Sequence, residues 1–141
     1  MADIAPGYWL SPPKTYSSRD KRDLGKEMKV LHWISAIIGR SLGDDNAPAK
    51  LRDGIALCEL INQLQPGSVS SITRSRSSFG KIQNISKFLK AAELYGVNKE
   101  DLFLPSTLYD GHHMVEVINA IESLALRQAQ QKGFDGPNLD L

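Results

Sequence analysis

The sequence lacks the features that mark secreted and membrane-spanning chains. Its 141 residues include a single cysteine, Cys58, so an internal disulfide is impossible and a reducing compartment is expected. Its first 14 residues contain no basic segment followed by an apolar run, which is the pattern of a secretory signal. No apolar run approaches the roughly 20 residues that span a bilayer. These absences predict a soluble, intracellular protein.

Net charge is also nearly absent, at a formal +1, so no global field favours nucleic acid or a membrane as partner. The charge is nevertheless uneven along the chain. Residues 1–92 contain 14 Lys and Arg against 8 Asp and Glu, whereas residues 93–141 contain 3 against 8. Either the basic part meets an acidic partner, or the asymmetry reflects chance and the preference of charges for particular helix ends.

No constellation typical of an active site occurs. His112 and His113 are adjacent, and neighbouring residues of a helix point about 100° apart, so they are expected to be surface histidines rather than ligands of one metal. Cys58 lies in an apolar segment, where a free cysteine behaves as a small hydrophobe. The glycines are isolated and form no phosphate-cradling loop. The sequence therefore predicts no enzyme and no cofactor.

The main structural signal in the sequence is the helical periodicity of its apolar residues. Asp23 is placed to cap a helix over about 24–40, whose apolar residues form one broad stripe. Asp53 is placed to cap a second helix over about 54–64. This second helix is apolar on nearly every side, which is typical of a buried central helix. The segment between the two helices, GDDNAP at 43–48, is predicted to be a loop.

Two further helices follow a loop rich in Ser and Arg at 68–80. One is amphipathic and runs over about 81–95, and the other runs over about 111–127 with Asp110 as its cap. A short helical turn at 98–101 separates them and is broken by the proline at 105. The pattern predicts an all-α fold of about four main helices, with a buried central helix and short connecting helical turns.

The domain is predicted to occupy residues 24–127. Prolines, glycines and serines are frequent in residues 1–23, which are predicted to form a partly irregular N-terminal tail. Residues 128–141 are predicted to form a second, Gly- and Pro-marked tail. The N-terminal tail contains Tyr8, Trp9 and Leu10, which are expected to dock on the domain or, alternatively, to bind a partner.

Five segments, in order, resemble a calponin homology domain of the single-domain type found in calponins and transgelins. The longest follows the pattern DG-x-x-LC-x-LIN-x-LQPG, and the resemblance covers residues 24–127. It implies the compact helical calponin homology fold. The segments are Trp33-Ile34, LRDGIALCELINQLQPG at 51–67, KIQNISKFLKAAELYGV at 81–97, DLF at 101–103 and LYDGHHMVEVINAIESLA at 108–125.

Asn62 is a polar residue inside the segment predicted to be buried. Leaving its amide without partners would cost about 1–3 kcal/mol. We therefore expect Asn62 to bind the backbone of a neighbouring loop.

The resemblance implies a cytoplasmic, cytoskeletal module that binds actin filaments as a monomer. Two segments of this chain, 26–40 and 61–97, correspond to the actin-binding segments assigned in the family. Residues 60–92 also contain five basic residues and no acid, which could meet an acidic filament surface. The predicted site residues are Arg74, Arg76, Lys81, Lys87, Lys90, Lys26 and Lys29.

Other interpretations remain open at this point. A basic helix face is often simply solvated. The sequence holds one copy of the domain and no short Gly-rich calponin repeat, which leaves room for a signalling adaptor that binds a kinase or a calmodulin-like regulator. Microtubule binding through a basic face is a third interpretation. The serines of RSRSS at 74–78 are candidate phosphorylation sites, and a phosphate adds about −1.5 to −2 charges.

Overall fold

The computed structural model describes residues 22–130 and 136–139, and the regular structure in these ranges is helical throughout. The prediction of an all-α fold with four main helices and short connecting turns is confirmed. The elements are α1 (Leu24–Ile38), α2 (Ala47–Leu51), α3 (Ile55–Leu64), α4 (Ser78–Tyr95), a 3₁₀ turn (Lys99–Asp101), α5 (Pro105–Asp110) and α6 (Met114–Ala129).

The central helix α3 is enclosed by its neighbours, as predicted. It packs against α1, α2 and α4, while α6 packs against α1, α5 and the 3₁₀ turn. Leu57, Leu60 and Ile61 have no exposed surface. Burying such side chains contributes about 1.5–3 kcal/mol each, so α3 makes a large contribution to hydrophobic stabilisation.

The first helix begins where the sequence predicts. The Asp23 carboxylate accepts a hydrogen bond from the Lys26 amide at 3.0 Å, which satisfies one of the free donors of the first turn. α1 ends at Ile38, two residues before the predicted end, because Gly39 adopts a left-handed conformation with φ of 78°.

The start of α3 lies directly against α4. Gly54 has φ of 74°, and a Cβ on it would lie 2.7 Å from Asn84 Cβ and 2.8 Å from the Ile85 amide nitrogen. No other residue type fits this close approach without displacing one helix. The prediction that Asp53 is the cap residue of this helix is wrong by one position: Gly54 occupies the cap position and α3 begins at Ile55, although the Asp53 carboxylate still accepts a hydrogen bond from the Ile55 amide at 3.0 Å.

Two asparagines hold the long loop between α3 and α4. The prediction for Asn62 is confirmed: its Nδ2 donates to the Val69 carbonyl at 3.0 Å, and its Oδ1 accepts from the Val69 amide at 2.7 Å. Asn84 is fully buried at 0% exposure. Its Oδ1 accepts from the Thr73 amide at 2.9 Å, and its Nδ2 donates to the carbonyls of Thr73 at 2.6 Å and Asp53 at 3.0 Å.

The prediction of an uninterrupted loop at 43–48 is wrong at its end. The short helix α2 begins at Ala47, and Pro48 lies in its first turn, where the missing proline N–H costs nothing. Pro105 likewise begins α5, but it does not break the 3₁₀ turn as predicted, because that turn already ends at Asp101. Short helices that begin with proline are difficult to distinguish from loops by periodicity alone.

The prediction for the last helix is wrong at its start. Asp110 is the final residue of α5 and does not cap a helix beginning at 111. Gly111 adopts a left-handed conformation with φ of 71°, which ends α5, and α6 begins at Met114. Residues 111–113 therefore connect two separate helices, α5 and α6.

The fourth helix begins three residues earlier than predicted. Ser77 caps α4, since its Oγ accepts a hydrogen bond from the Gly80 amide at 3.0 Å. The helix therefore begins at Ser78, immediately after the arginines of the loop.

Part of the C-terminal segment packs on the domain. The Trp33 indole N–H donates to the Pro137 carbonyl at 2.8 Å, and Leu139 packs against the hydrophobic core. The predicted docking of Tyr8 and Trp9 lies outside the described residues. Among the helices of the described ranges, none has the length and apolar character needed to cross a membrane.

We expect Asn84→Ala to lower the free energy of unfolding by about 3 kcal/mol or more, because it leaves buried groups of Thr73 and Asp53 without partners. Urea denaturation of both proteins measures this difference. The control is Gln83→Ala, an exposed neighbour on the same helix, which should change stability by less than about 0.5 kcal/mol. Equal effects of the two substitutions would contradict the role assigned to Asn84.

Candidate functional site

The charged residues near the α3–α4 loop are arranged around one acid, Glu59. Arg40, which follows α1, donates to Glu59 Oε1 through its Nε at 3.1 Å. Arg74, in the loop, approaches Glu59 Oε2 through its NH2 group at 3.6 Å. A carboxylate on α3 thus brings together two arginines that are 34 positions apart in the sequence.

Lys87 is attached to the same loop from the other side. Its Nζ donates to the Ser71 carbonyl at 2.9 Å, so the lysine on α4 and the loop backbone are fixed relative to each other. Arg76 is exposed in the same loop, just before α4. We call Arg40, Arg74, Arg76 and Lys87 the loop cluster. With Glu59 included, the cluster has a net charge of +3.

The other two predicted residues of α4, Lys81 and Lys90, lie on different sides of the helix. With 3.6 residues per turn, Lys87 and Lys90 project about 60° apart, whereas Lys81 projects about 120° away from Lys87. Lys81 lines a surface depression of about 600 Å³ together with Arg52. Lys90 lines a separate groove with Phe103 and Leu104. The predicted patch is therefore several smaller groups rather than one continuous face.

The two predicted residues of α1 lie toward its other end. Lys26 forms an ion pair with Glu122 of α6 at 3.2 Å, and Lys29 is exposed. At 1.5 Å per residue, Lys26 is about 18 Å along the helix from Ile38, which precedes Arg40. The loop cluster is therefore reached by Arg40, just beyond the end of α1, and not by the residues at the beginning of that helix.

Sequence reasoning missed Glu59 and Arg52. Residues 60–92 contain no acid, but Glu59 directly precedes that segment and reaches Arg74 in space. The available signal was a charged residue in an otherwise apolar helix, since such a residue usually has a partner. Arg52 lies over the Tyr109 ring at 4.3 Å from its centroid and donates from Nε to the Tyr109 carbonyl at 2.8 Å.

The histidines and the cysteine are placed as the sequence suggests. His112 and His113 are exposed, and the described residues hold no group of three His, Cys, Asp or Glu arranged to bind a metal ion. Cys58 is buried, and its Sγ donates to the Asn84 carbonyl at 3.2 Å. The pKa of the Cys58 thiol is raised to about 11; burial is the largest cause, the positive charge of Lys87 opposes it, and the negative charge of Glu59 adds to it.

The fold and this arrangement can be compared with known proteins. The family model described as the calponin homology (CH) domain matches residues 24–130. The chain belongs to the calponin homology domain family. The resemblance to calponin is confirmed by calponin-2 from Sus scrofa, 39% identical over 129 residues, and from Mus musculus, 38% identical over 129 residues. The matches cover 92% of this chain and 43% and 42% of those relatives, so the chain spans about two fifths of their length.

Solved structures show the same fold for this calponin homology domain. The calponin homology domain of Rng2 from Schizosaccharomyces pombe superposes with a TM-score of 0.71 and 26% sequence identity. A calponin homology domain of an IQGAP protein from the same yeast gives 0.70 and 26%. Each comparison covers 83% of this chain and 74% of the other. Calponin-like domains are structural, cytoskeleton-associated modules for which actin binding is typical.

We expect the Cys58 thiol to remain protonated at pH 8, because its pKa is about 11 rather than the ordinary 9.0. A disulfide reagent should therefore react far more slowly with the native protein than with the protein in urea. Since the folded pKa is the higher one, this thiol should favour the folded state below pH 9 and lose that contribution as the pH rises toward 11.

Thiolate absorbance measured against pH, in native protein and in urea, checks both expectations. The urea sample serves as the control and should titrate near 9.0. Native ionisation at the same pH as in urea would contradict the assignment.

Proposed function

We propose that this domain is a cytoplasmic, non-catalytic cytoskeletal module that binds actin filaments as a monomer, and that the loop cluster is the centre of its contact surface. The observation that carries the proposal is the convergence on Glu59. One acid joins the end of α1 to the α3–α4 loop, and these elements contain the two sequence segments that resemble the actin-binding segments of calponins.

The electrostatics of the loop cluster support an acidic partner. Its four basic side chains exceed the one carboxylate that pairs with Arg40 and Arg74, and Arg74 and Arg76 are exposed on the loop. Complementary charge of this kind speeds encounter and fixes orientation. Exposed charges are screened beyond about 8–10 Å at physiological salt, so binding should weaken as salt is raised.

The loop is also held in a defined position. Asn62 and Asn84 bind its backbone at Val69 and Thr73, and Lys87 binds it at Ser71. A loop fixed at three points loses little conformational entropy when it meets a partner, which increases affinity. The remaining predicted residues, Lys81, Lys90, Lys26 and Lys29, are proposed to contribute at the margins of the surface.

Co-sedimentation of the full chain with actin filaments, at low and physiological salt, tests the proposal. We expect Arg76→Glu to weaken binding about tenfold at low salt, and by less at physiological salt, because it reverses an exposed charge of the loop cluster. The matched control is Lys99→Glu, the same charge reversal at an exposed residue beyond the other end of α4.

Equal binding by the Arg76→Glu and Lys99→Glu variants would remove the site assignment even if the protein pellets with filaments. No pelleting at low salt would remove the actin proposal. Microtubules provide a parallel arm, and pelleting with microtubules alone would replace actin with tubulin as the partner.

Glu59→Gln should act in the opposite direction. The substitution keeps the size of the side chain but removes the negative charge from the centre of the loop cluster, which raises its net charge by one. We expect filament binding at low salt to tighten about two- to fivefold, with the gain disappearing as salt is raised. Weaker binding by the Glu59→Gln protein at low salt would show that the geometry set by Glu59 matters more than its charge.

A further inference from the structure

Three serines lie beside the arginines of the loop cluster, and two of them have structural roles. The Ser77 hydroxyl is the cap of α4 and accepts from the Gly80 amide at 3.0 Å. The Ser75 hydroxyl accepts from the Ser77 amide at 3.0 Å and lies 3.0 Å from the Ser77 hydroxyl. Both oxygens are thus engaged in holding the start of the helix.

The third serine, Ser78, is placed differently. It is exposed, and its Oγ lies 2.7 Å from the Tyr109 hydroxyl, a partner that belongs to another element and serves no helix cap. Replacing this contact costs the fold little, because an exposed hydroxyl can bind water instead. Of the three hydroxyls, that of Ser78 is therefore the freest to accept another group.

The residues around Ser78 resemble a substrate segment for an arginine-directed protein kinase. Arg74 and Arg76 lie four and two positions before it, where guanidinium groups can pair with carboxylates of a kinase groove. Phe79 follows it and is 75% exposed, although large apolar side chains are normally buried. An exposed phenylalanine directly after the acceptor could enter an apolar pocket of the kinase.

The position also allows access. Residues 71–75 have no regular secondary structure, and Ser78 is the first residue of α4. Terminal turns of helices open at low free-energy cost, so the segment can adopt the extended form that a kinase binds.

Cations are available beside the modified hydroxyl. Lys81 lies one helical turn after Ser78, and Arg52 stacks on the Tyr109 ring whose hydroxyl contacts Ser78. Lys81 and Arg52 line the same depression, together with the acids Asp53 and Asp110 and with His112. Arg52 uses its Nε on the Tyr109 carbonyl, so its terminal guanidinium nitrogens and the Lys81 ammonium are the groups that would face an added phosphate.

We propose that Ser78 is the phosphoacceptor of an arginine-directed protein kinase, and that phosphate at this position weakens filament binding; the second part rests on the function proposed above. In this step the Ser78 oxygen forms a bond to the γ-phosphorus of Mg-ATP, and the bond from that phosphorus to the β-phosphate oxygen breaks. ADP leaves, and the hydroxyl proton passes to the catalytic base of the kinase.

The expected effect follows from charge. A phosphoserine adds about −1.5 to −2 charges at neutral pH. Arg76 lies two residues away and Arg74 four, so the added charge cancels much of the positive field of the loop cluster. Pairing with Lys81 removes a further cation from the surface that meets the filament.

The first experiment maps the modification and does not depend on actin. The full chain is incubated with Mg-ATP and the catalytic subunit of cyclic-AMP-dependent protein kinase, and the modified residue is located by fragmentation mass spectrometry. We expect the label on Ser78, its loss in Ser78→Ala, and its retention in Ser75→Ala. An Arg74→Gln/Arg76→Gln variant should be labelled about tenfold more slowly. Absence of label, or a main label on Ser75 or Ser77, would overturn the proposal.

The second experiment measures the consequence by co-sedimentation at low salt. Phosphorylated protein and Ser78→Asp should bind filaments several-fold more weakly than Ser78→Ala. Asn119→Asp, which adds the same charge to an exposed position of α6, should bind as the unmodified protein does. Unchanged binding of the phosphorylated protein, alongside weakened binding of Arg76→Glu, would overturn the regulatory part. Unchanged binding of both would instead reject the contact surface and leave the Ser78 modification standing.

Discussion

The side-chain amide of Asn84 makes three hydrogen bonds in a fully buried position, and the relative placement of α3, α4 and the loop between them depends on these bonds. The main-chain carbonyl of Asn84 also accepts a hydrogen bond from the Cys58 thiol of α3. The helices can approach this closely because Gly54 has no Cβ to meet Asn84. A polar group at such a depth is stabilising only when every partner is in place, so the contact favours one arrangement of the helices over all near alternatives.

The charged surface depends on a similar relation between a buried helix and its loop. Glu59 is on the partly exposed side of α3, and it positions arginines from two distant segments while reducing their net charge. The Glu59 carboxylate therefore has two opposing effects on the binding of an acidic partner. It holds the arginines in position, and its negative charge weakens their attraction to the partner. The balance between the two effects depends on geometry and on salt. A count of basic residues along the sequence therefore describes the surface poorly.

The long helices and the buried centre could be predicted because periodicity and capping residues are local signals. Asp23 lies next to the amide that it caps, and Asn62 reaches a loop only seven residues away. Asn84 could not be singled out, since its partners at Thr73 and Asp53 are 11 and 31 positions earlier. The helix α5 was missed because a six-residue helix is too short to show a helical period, and α6 was predicted to begin at 111 rather than at Met114 because Asp110 resembles a cap residue. The basic residues of the site were identified individually, but their division into groups follows from helix rotation and from Glu59.

The Asn84 contacts have a consequence for how this surface can change over time. The amide binds the loop through the main-chain atoms of Thr73, and Asn62 binds it through those of Val69. Neither interaction involves the side chains of Arg74 and Arg76, so substitutions at these two positions leave both anchors of the loop in place, whereas Ser75 and Ser77 hold the start of α4. The scaffold and the charges it displays are therefore separable traits. Related chains can acquire a different partner or a different control by replacing a few loop residues, without having to find a new fold.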